Sequence, residues 1–306
     1  MYLPTAIEFR NALTALSFLT CLTLLPGPGH SAEIYKYQNE QGQWVFTDKK
    51  PADGQAETVE VETQHQDGAD APEFKYVVVD GEYQVQVENP YYAPLEVNLI
   101  MGNQHGQVRD VIAPRETAII HRSNQPLPGS DYQWTWGDPA TSPTEQLYRI
   151  PIGRSGEYQI TQSFRGTFSH SQQTSLYAVD IRMPVGTDIV AARAGTVFIA
   201  RDHYQFGGKN EYFLDKANLI KVLHEDGTYA TYAHILVGSA SVRNGDRVSA
   251  GQKIARSGST GFSTTPHLHF VIRRNSGLRT NSIPFRFVDQ DGQAFTPRQG
   301  EQLTIR

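Results

Sequence analysis

The sequence predicts an all-β protein: an antiparallel β-sandwich domain followed by a second antiparallel β domain. Three observations predict it. Short β-favouring runs recur from Phe74 to Val288. Gly, Pro, Asn and Asp turn signals separate them. No segment carries a long apolar pattern of helical period.

Each element follows in chain order. Arg10 precedes an apolar run from Ala12 to Leu25, which Pro26-Gly27-Pro28-Gly29 breaks before the small residues Ser31-Ala32. Residues 1–32 therefore read as a secretory signal, too short for a confident membrane span, with an uncleaved anchor as the alternative. Residues 33–51 read as a hairpin, Ile34-Tyr35-Lys36-Tyr37 and Trp44-Val45-Phe46-Thr47 around a turn at 39–42. Residues 52–73 are polar and acidic and read as a linker. The runs at 75–79, 83–87, 95–99 and 117–120 give a sandwich of roughly seven strands over 74–152. It contains no constellation of histidines and acids; His105 and His121 read as structural. Residues 153–288 are again β-rich, with Asp226-Gly227 turning between two apolar runs. The stretch 289–306 is polar and is assigned nothing.

Composition excludes some functions. The net charge of −5 provides no overall basic field for nucleic acid or an anionic membrane surface. The single cysteine, Cys21, lies in the apolar leader run, so a chain from which the leader is removed has no disulfides and no thiolate ligand. Any metal must be held by His, Asp or Glu.

The densest chemical signal is His267-Leu268-His269, preceding Phe270-Val271-Ile272. In a strand, residues two apart share a face, so two imidazoles enter one small volume. Such a pair is by itself more often structural than functional. Asp180 ends an apolar run, where a charge is costly unless it is paired or bound to metal. Its ordinary alternative is a turn cap or a pair with Arg182.

The ordered segments Tyr177-Ala178-Val179-Asp180, Met183-Pro184-Val185-Gly186-Thr187, Tyr232-Ala233-His234, Val242-Arg243-Asn244-Gly245-Asp246-Arg247-Val248 and His267-Leu268-His269 resemble the LytM-like metallopeptidases of the M23 family over about 155–288. The 33–51 segment resembles the DUF4124-type module of exported proteins. The first resemblance implies a LytM-type antiparallel β domain, Zn2+ as cofactor and peptidoglycan as substrate, in the periplasm or outside the cell. It implies Asp180 and His269 as metal ligands. His267 would be the general base or the group that orients the water, and His234 would support the oxyanion or water. Many members place a histidine four residues before the aspartate, where this chain has Leu176; His170 is the nearest upstream candidate for the third ligand. Asn218 is a candidate contact to substrate backbone, with a turn or strand-start role as an equal alternative.

Two other readings compete. A LytM-like domain without activity would bind the wall or activate another hydrolase, as Leu176 suggests. A carrier domain modified at Lys216 would explain the glycine-rich turns but not Asp180 or the paired histidines.

Overall fold

The computed structural model describes residues 71–102, 106–126, 129–144 and 147–306, and the backbone of three strands nearer the N-terminus. The leader, Cys21, His105 and most of the linker lie outside the described residues. The three early strands are β1 (Ile34–Gln38), β2 (Trp44–Thr47) and β3 (Glu57–Val59). β1 pairs antiparallel with β2, as the hairpin pattern predicts. β3 adds to the free edge of β1, inside the stretch read as a linker. Thr58 and Val59 favour β structure, and an unpaired edge accepts even a three-residue partner.

Six strands follow: β4 (Glu73–Val79), β5 (Glu82–Glu88), β6 (Leu95–Met101), β7 (Gln107–Ile112), β8 (Thr117–Ser123) and β9 (Ser130–Trp136). They form two three-stranded antiparallel sheets, β4-β5-β8 and β7-β6-β9. Alternation drives their packing. Val85, Val87, Leu95, Val97 and Leu99 bury one face of each sheet in a shared core.

The remaining strands are β10 (Leu147–Arg149), β11 (Gly156–Gln162), β12 (Val179–Arg182), β13 (Asp188–Val190), β14 (Gly195–Arg201) and β15 (Gly207–Gly208). Then come β16 (Leu219–Leu223), β17 (Tyr229–Ala233), β18 (Arg247–Val248), β19 (Lys253–Arg256) and β20 (Gly261–Phe262). The last are β21 (His267–Asn275), β22 (Thr280–Ser282), β23 (Arg286–Val288), β24 (Ala294–Phe295) and β25 (Gln302–Ile305). Nine of these form one antiparallel sheet in the order β18-β14-β16-β17-β21-β12-β11-β25, with β22 on β21. β25 comes from the stretch to which the sequence assigns nothing; Leu303 and Ile305 enter the core beside β11. Among the described residues no helix is long and apolar enough to cross a membrane.

Alternation gives the large sheet two unlike faces. Val179, Ile181, Leu268, Phe270, Ile272, Tyr232 and Val222 pack into the main core. Their neighbours, Asp180, His267 and His269, point the other way. Phe270 is fully buried and touches Tyr232, Phe285 and Phe287 at ring separations of 5.2–5.7 Å. It therefore fixes the strand that presents both histidines. Phe270→Ala is expected to destabilise the fold by about 3–5 kcal/mol, read as a lower urea midpoint with an unchanged slope. A loss under about 1 kcal/mol would show that the ring does not anchor β21.

Candidate metal centre

Register brings the site together. On the outward face Asp180 of β12 lies opposite His269 of β21, and Arg182 opposite His267. His269 Nδ1 is 2.8 Å from Asp180 Oδ1, and His267 Nε2 is 3.8 Å from the same oxygen. His170 arrives from a loop of tight turns between β11 and β12. Its backbone N–H donates to Gly166 O at 3.1 Å, and its ring is fully buried. His170 Nε2 lies 3.2 Å from Asp180 Oδ1. One ligand atom from each of His170, Asp180 and His269 lies within 4.8 Å of the other two.

The hydrogen bonds set the tautomers. Neutral imidazole carries one N–H and one lone pair. His170 Nδ1–H donates to Ser163 O at 2.9 Å, leaving the Nε2 lone pair directed at the carboxylate. His267 Nδ1–H donates to Thr265 O, and His234 Nδ1–H to Thr260 O, both at 2.7 Å. All three rings are thus oriented by backbone carbonyls, the usual outer support of metal-binding imidazoles. A lone pair facing a carboxylate oxygen at 3.2 Å is repulsive unless a cation or proton lies between them. The donor set, two imidazoles and a carboxylate, suits zinc. Separations of 2.8 and 3.2 Å approach the roughly 3.3 Å expected between ligands of a small tetrahedral ion.

Burial pushes the Asp180 carboxyl up, but its close contacts with the His170 and His269 rings and the electrostatic attraction of His269 and His267 outweigh it. The group is held well below the usual carboxylate range. Burial lowers His269, against the pull of Asp180. Burial, reinforced by His267 and His269, pushes His234 down to about 3. His234 is therefore a neutral ring at working pH. Its ring centre lies 4.6 Å from that of His267 and 5.9 Å from that of His269. Its backbone is left-handed, with φ of 64°, an uncommon conformation for a side-chain-bearing residue that costs about 1–3 kcal/mol.

One supporting residue escapes the sequence reading. Gln162 Nε2 donates to Asp180 Oδ2 at 3.0 Å and to Ser169 Oγ at 2.7 Å, while its Oε1 accepts from the amides of Phe168 and Ser169. It fixes the carboxylate and the His170 loop together. A register shift between Ile160 and Gln162 sets Gln162 opposite Asp180. Asn218, a candidate for substrate contact or for a strand start, stands immediately before β16. It is fully buried, with Oδ1 accepting from Tyr204 N and Nδ2 donating to Tyr204 O and Ile235 O. Its amide is used up in holding two loops.

Known proteins share stretches of this sequence. Residues 174–281 match the family model of "Peptidase family M23", and residues 21–73 match DUF4124, a domain of unknown function. The glycyl-glycine endopeptidase ALE-1 of Staphylococcus capitis is 41% identical over 118 residues, which cover 38% of this chain and 30% of that protein. The peptidoglycan DD-endopeptidase ShyA of Vibrio cholerae is 33% identical over 93 residues, covering 30% of this chain and 19% of that protein. Among solved structures, the catalytic domain of lysostaphin from Staphylococcus simulans is 28% identical and covers 47% of this chain and 89% of that one, with a TM-score of 0.29. The chain spans less than a third of the length of these two curated relatives. Its 174–281 stretch is similar to the peptidases of family M23, a family whose members include metalloproteases. The matched stretch begins after His170.

A fourth carbonyl-anchored histidine lies outside the centre. His224 Nδ1 is 2.9 Å from Ala194 O, but its buried Nε2 has no partner. Burial pushes its pKa down to about 4. The unfolded chain, with a histidine pKa near 6.5, therefore binds a proton between about pH 4 and 6.5 that the folded chain refuses. The stability this site contributes is complete above pH 6.5 and falls by about 3 kcal/mol as pH drops to 4. His224→Asn is expected to flatten the slope of unfolding free energy across that window, measured by denaturant titration at each pH. Identical slopes in the two proteins would refute the assignment.

Proposed function

We propose that this chain is an exported zinc-dependent endopeptidase that hydrolyses peptide bonds in peptidoglycan stems or cross-links, in the periplasm or outside the cell. The carrying observation is the convergence of His170, Asp180 and His269 with the lone pair of His170 aimed at the carboxylate. His170, Asp180 and His269 would hold the ion. Bound there, zinc supplies Lewis acidity for a scissile carbonyl and lowers the pKa of a water. His267, partly exposed and with a free Nε2, accepts the water proton and returns it to the leaving amine. His234, fixed by Thr260 O, steadies the developing oxyanion or the water. The 74–152 region acts as a domain that positions or shields the 153–288 peptidase domain. The names of ALE-1 and ShyA support the wall substrate, and the apolar run after Arg10 supports export. His170 answers Leu176, the feature that favoured a domain without activity.

The deciding experiment incubates the mature protein with purified sacculi, with and without a chelator, and identifies released fragments by mass spectrometry. Peptide cleavage that stops with chelator and returns with zinc is expected; intact sacculi after zinc loading would overturn the reading. His269→Ala should abolish zinc binding. His267→Ala should retain zinc and lose about 10²–10⁴-fold in turnover. Gln162→Leu should weaken zinc affinity about 10–100-fold, read by competition with a chromogenic chelator. Unchanged affinity would remove Gln162 from the support of the centre.

A further inference from the structure

The sheet register carries one charged side chain to the rim of the metal centre that the proposed chemistry does not use. Arg182 is the last residue of β12, two residues after Asp180, so both side chains leave the same face of the strand. It lies directly opposite His267, as Asp180 lies opposite His269. A rise of about 3.3 Å per residue puts the Arg182 backbone about 7 Å beyond that of Asp180. Ile181, between them, is completely buried on the core face, whereas Arg182 is exposed. The rings opposite are partly open as well: 13% of the His267 side chain and 16% of the His269 side chain are accessible. The guanidinium and both imidazoles therefore meet solvent on one side of the sheet.

Arg182 has no partner there. Among the described residues no carboxylate lies within salt-bridge distance of it, and its side chain makes no hydrogen bond. Asp180, the nearest acid along the strand, is engaged by three histidines and by Gln162 instead. The row continues from Arg182 to Gln159 of β11, half-buried, whose amide likewise makes no hydrogen bond among the described residues. A cation in this place works against the centre. A dication held by one carboxylate and two neutral imidazoles would leave the cluster net positive, and the guanidinium adds a further positive charge. Their separation, about 7 Å along the strand, is below the screening length of about 8 Å at physiological salt, so the two repel. An anion beside Arg182 turns that repulsion into attraction on both sides. A carboxylate suits the planar fork of N–H donors that a guanidinium presents.

We infer that Arg182 is a specificity-determining residue that binds a carboxylate of an acidic peptide substrate close to the scissile bond. The inference rests on the endopeptidase reading and names the substrate class of the same site. An extended peptide rises about 3.3–3.6 Å per residue, so a guanidinium set one register step beyond Asp180 meets a side chain about two residues from the bond that is cut. Gln159 extends the polar row on the side away from His267.

The test separates recognition from hydrolysis. Zinc-loaded full-length protein and its Arg182→Met variant are each given a cross-linked stem-peptide dimer bearing free carboxylates and the same dimer as carboxamides. The unsubstituted protein is expected to prefer the carboxylate form about tenfold in kcat/KM, and Arg182→Met to cut that preference below about twofold. The ratio of two substrates on one protein cancels any loss of folded enzyme or of metal. Salt at about 0.5 M is expected to shrink the preference of the unsubstituted protein and to leave that of the variant unchanged. Equal rates on the two dimers before substitution, or a preference that survives Arg182→Met, would overturn the assignment. Binding is read independently by calorimetry at low salt on zinc-loaded His267→Ala protein, with and without Arg182→Met. The same preference, lost with Arg182→Met, is expected; equal affinities, or binding of neither dimer, would also overturn it. If calorimetry shows the preference but the unsubstituted protein cuts neither dimer, the endopeptidase reading fails and the carboxylate contact stands.

Discussion

The buried Asp180 carboxylate, set in cross-strand register with His269, is the constraint on which the rest of the structure turns. A carboxylate removed from water costs several kcal/mol unless other groups replace the lost solvation. Here Gln162 satisfies one oxygen, and three imidazoles surround the other. The core on the opposite face fixes β12 and β21 at the spacing this requires. Val179, Ile181, Leu268 and Phe270 are completely buried and alternate with the site residues. The apolar packing that stabilises the sheet is therefore also what holds the polar cluster in register.

The strand register explains what could be read from the sequence. Asp180, His267 and His269 obey simple alternation, and their apolar neighbours announce which face they occupy. The all-β class and the sandwich pattern were legible for the same reason. Gln162 and His234 were harder because each breaks the alternation. Without the shift after Ile160, Gln162 would share the inward face of that residue; the bulge re-aims it at Asp180. His234 follows Ala233, which faces the site, so strict alternation would send its ring into the core. The left-handed turn at His234 returns it to the centre. For Asn218 the sequence left two readings open, a substrate contact and a strand start. In the fold both ends of its amide are spent on backbone groups.

The first β region meets the large sheet through specific contacts as well as shape. Buried Glu96 of β6 accepts from Asn275 Nδ2 at 2.7 Å and from Leu278 N at 2.6 Å. Leu278 is left-handed, with φ of 54°, in the turn that joins β21 to β22. The carboxylate thus ties down a strained turn at the far end of the strand that begins with His267. Thr135 and Thr280 add a hydrogen bond at 3.1 Å, and Trp136 meets Phe198 edge-on at 5.8 Å. One end of β21 is fixed by another region of the chain, and the other end carries the site.

A chain of local hydrogen bonds accounts for how His170 reaches the Asp180 carboxylate from a loop. His170 stands ten residues before Asp180, too far to be placed by alternation. Three constraints position it instead: its Nδ1–H on Ser163 O, its backbone N–H on Gly166 O, and the Gln162 amide bridging Ser169 to the carboxylate. Each constraint originates in residues 162–166, from the last residue of β11, the strand that pairs with β12, into the turn after it. The loop is therefore anchored at the same place as the aspartate it faces. A histidine on a free surface loop would lose conformational entropy on meeting a cation. His170 is already buried and oriented, so most of that cost is met in folding, and Leu176 can occupy the position four before Asp180 without depriving the centre of a third donor.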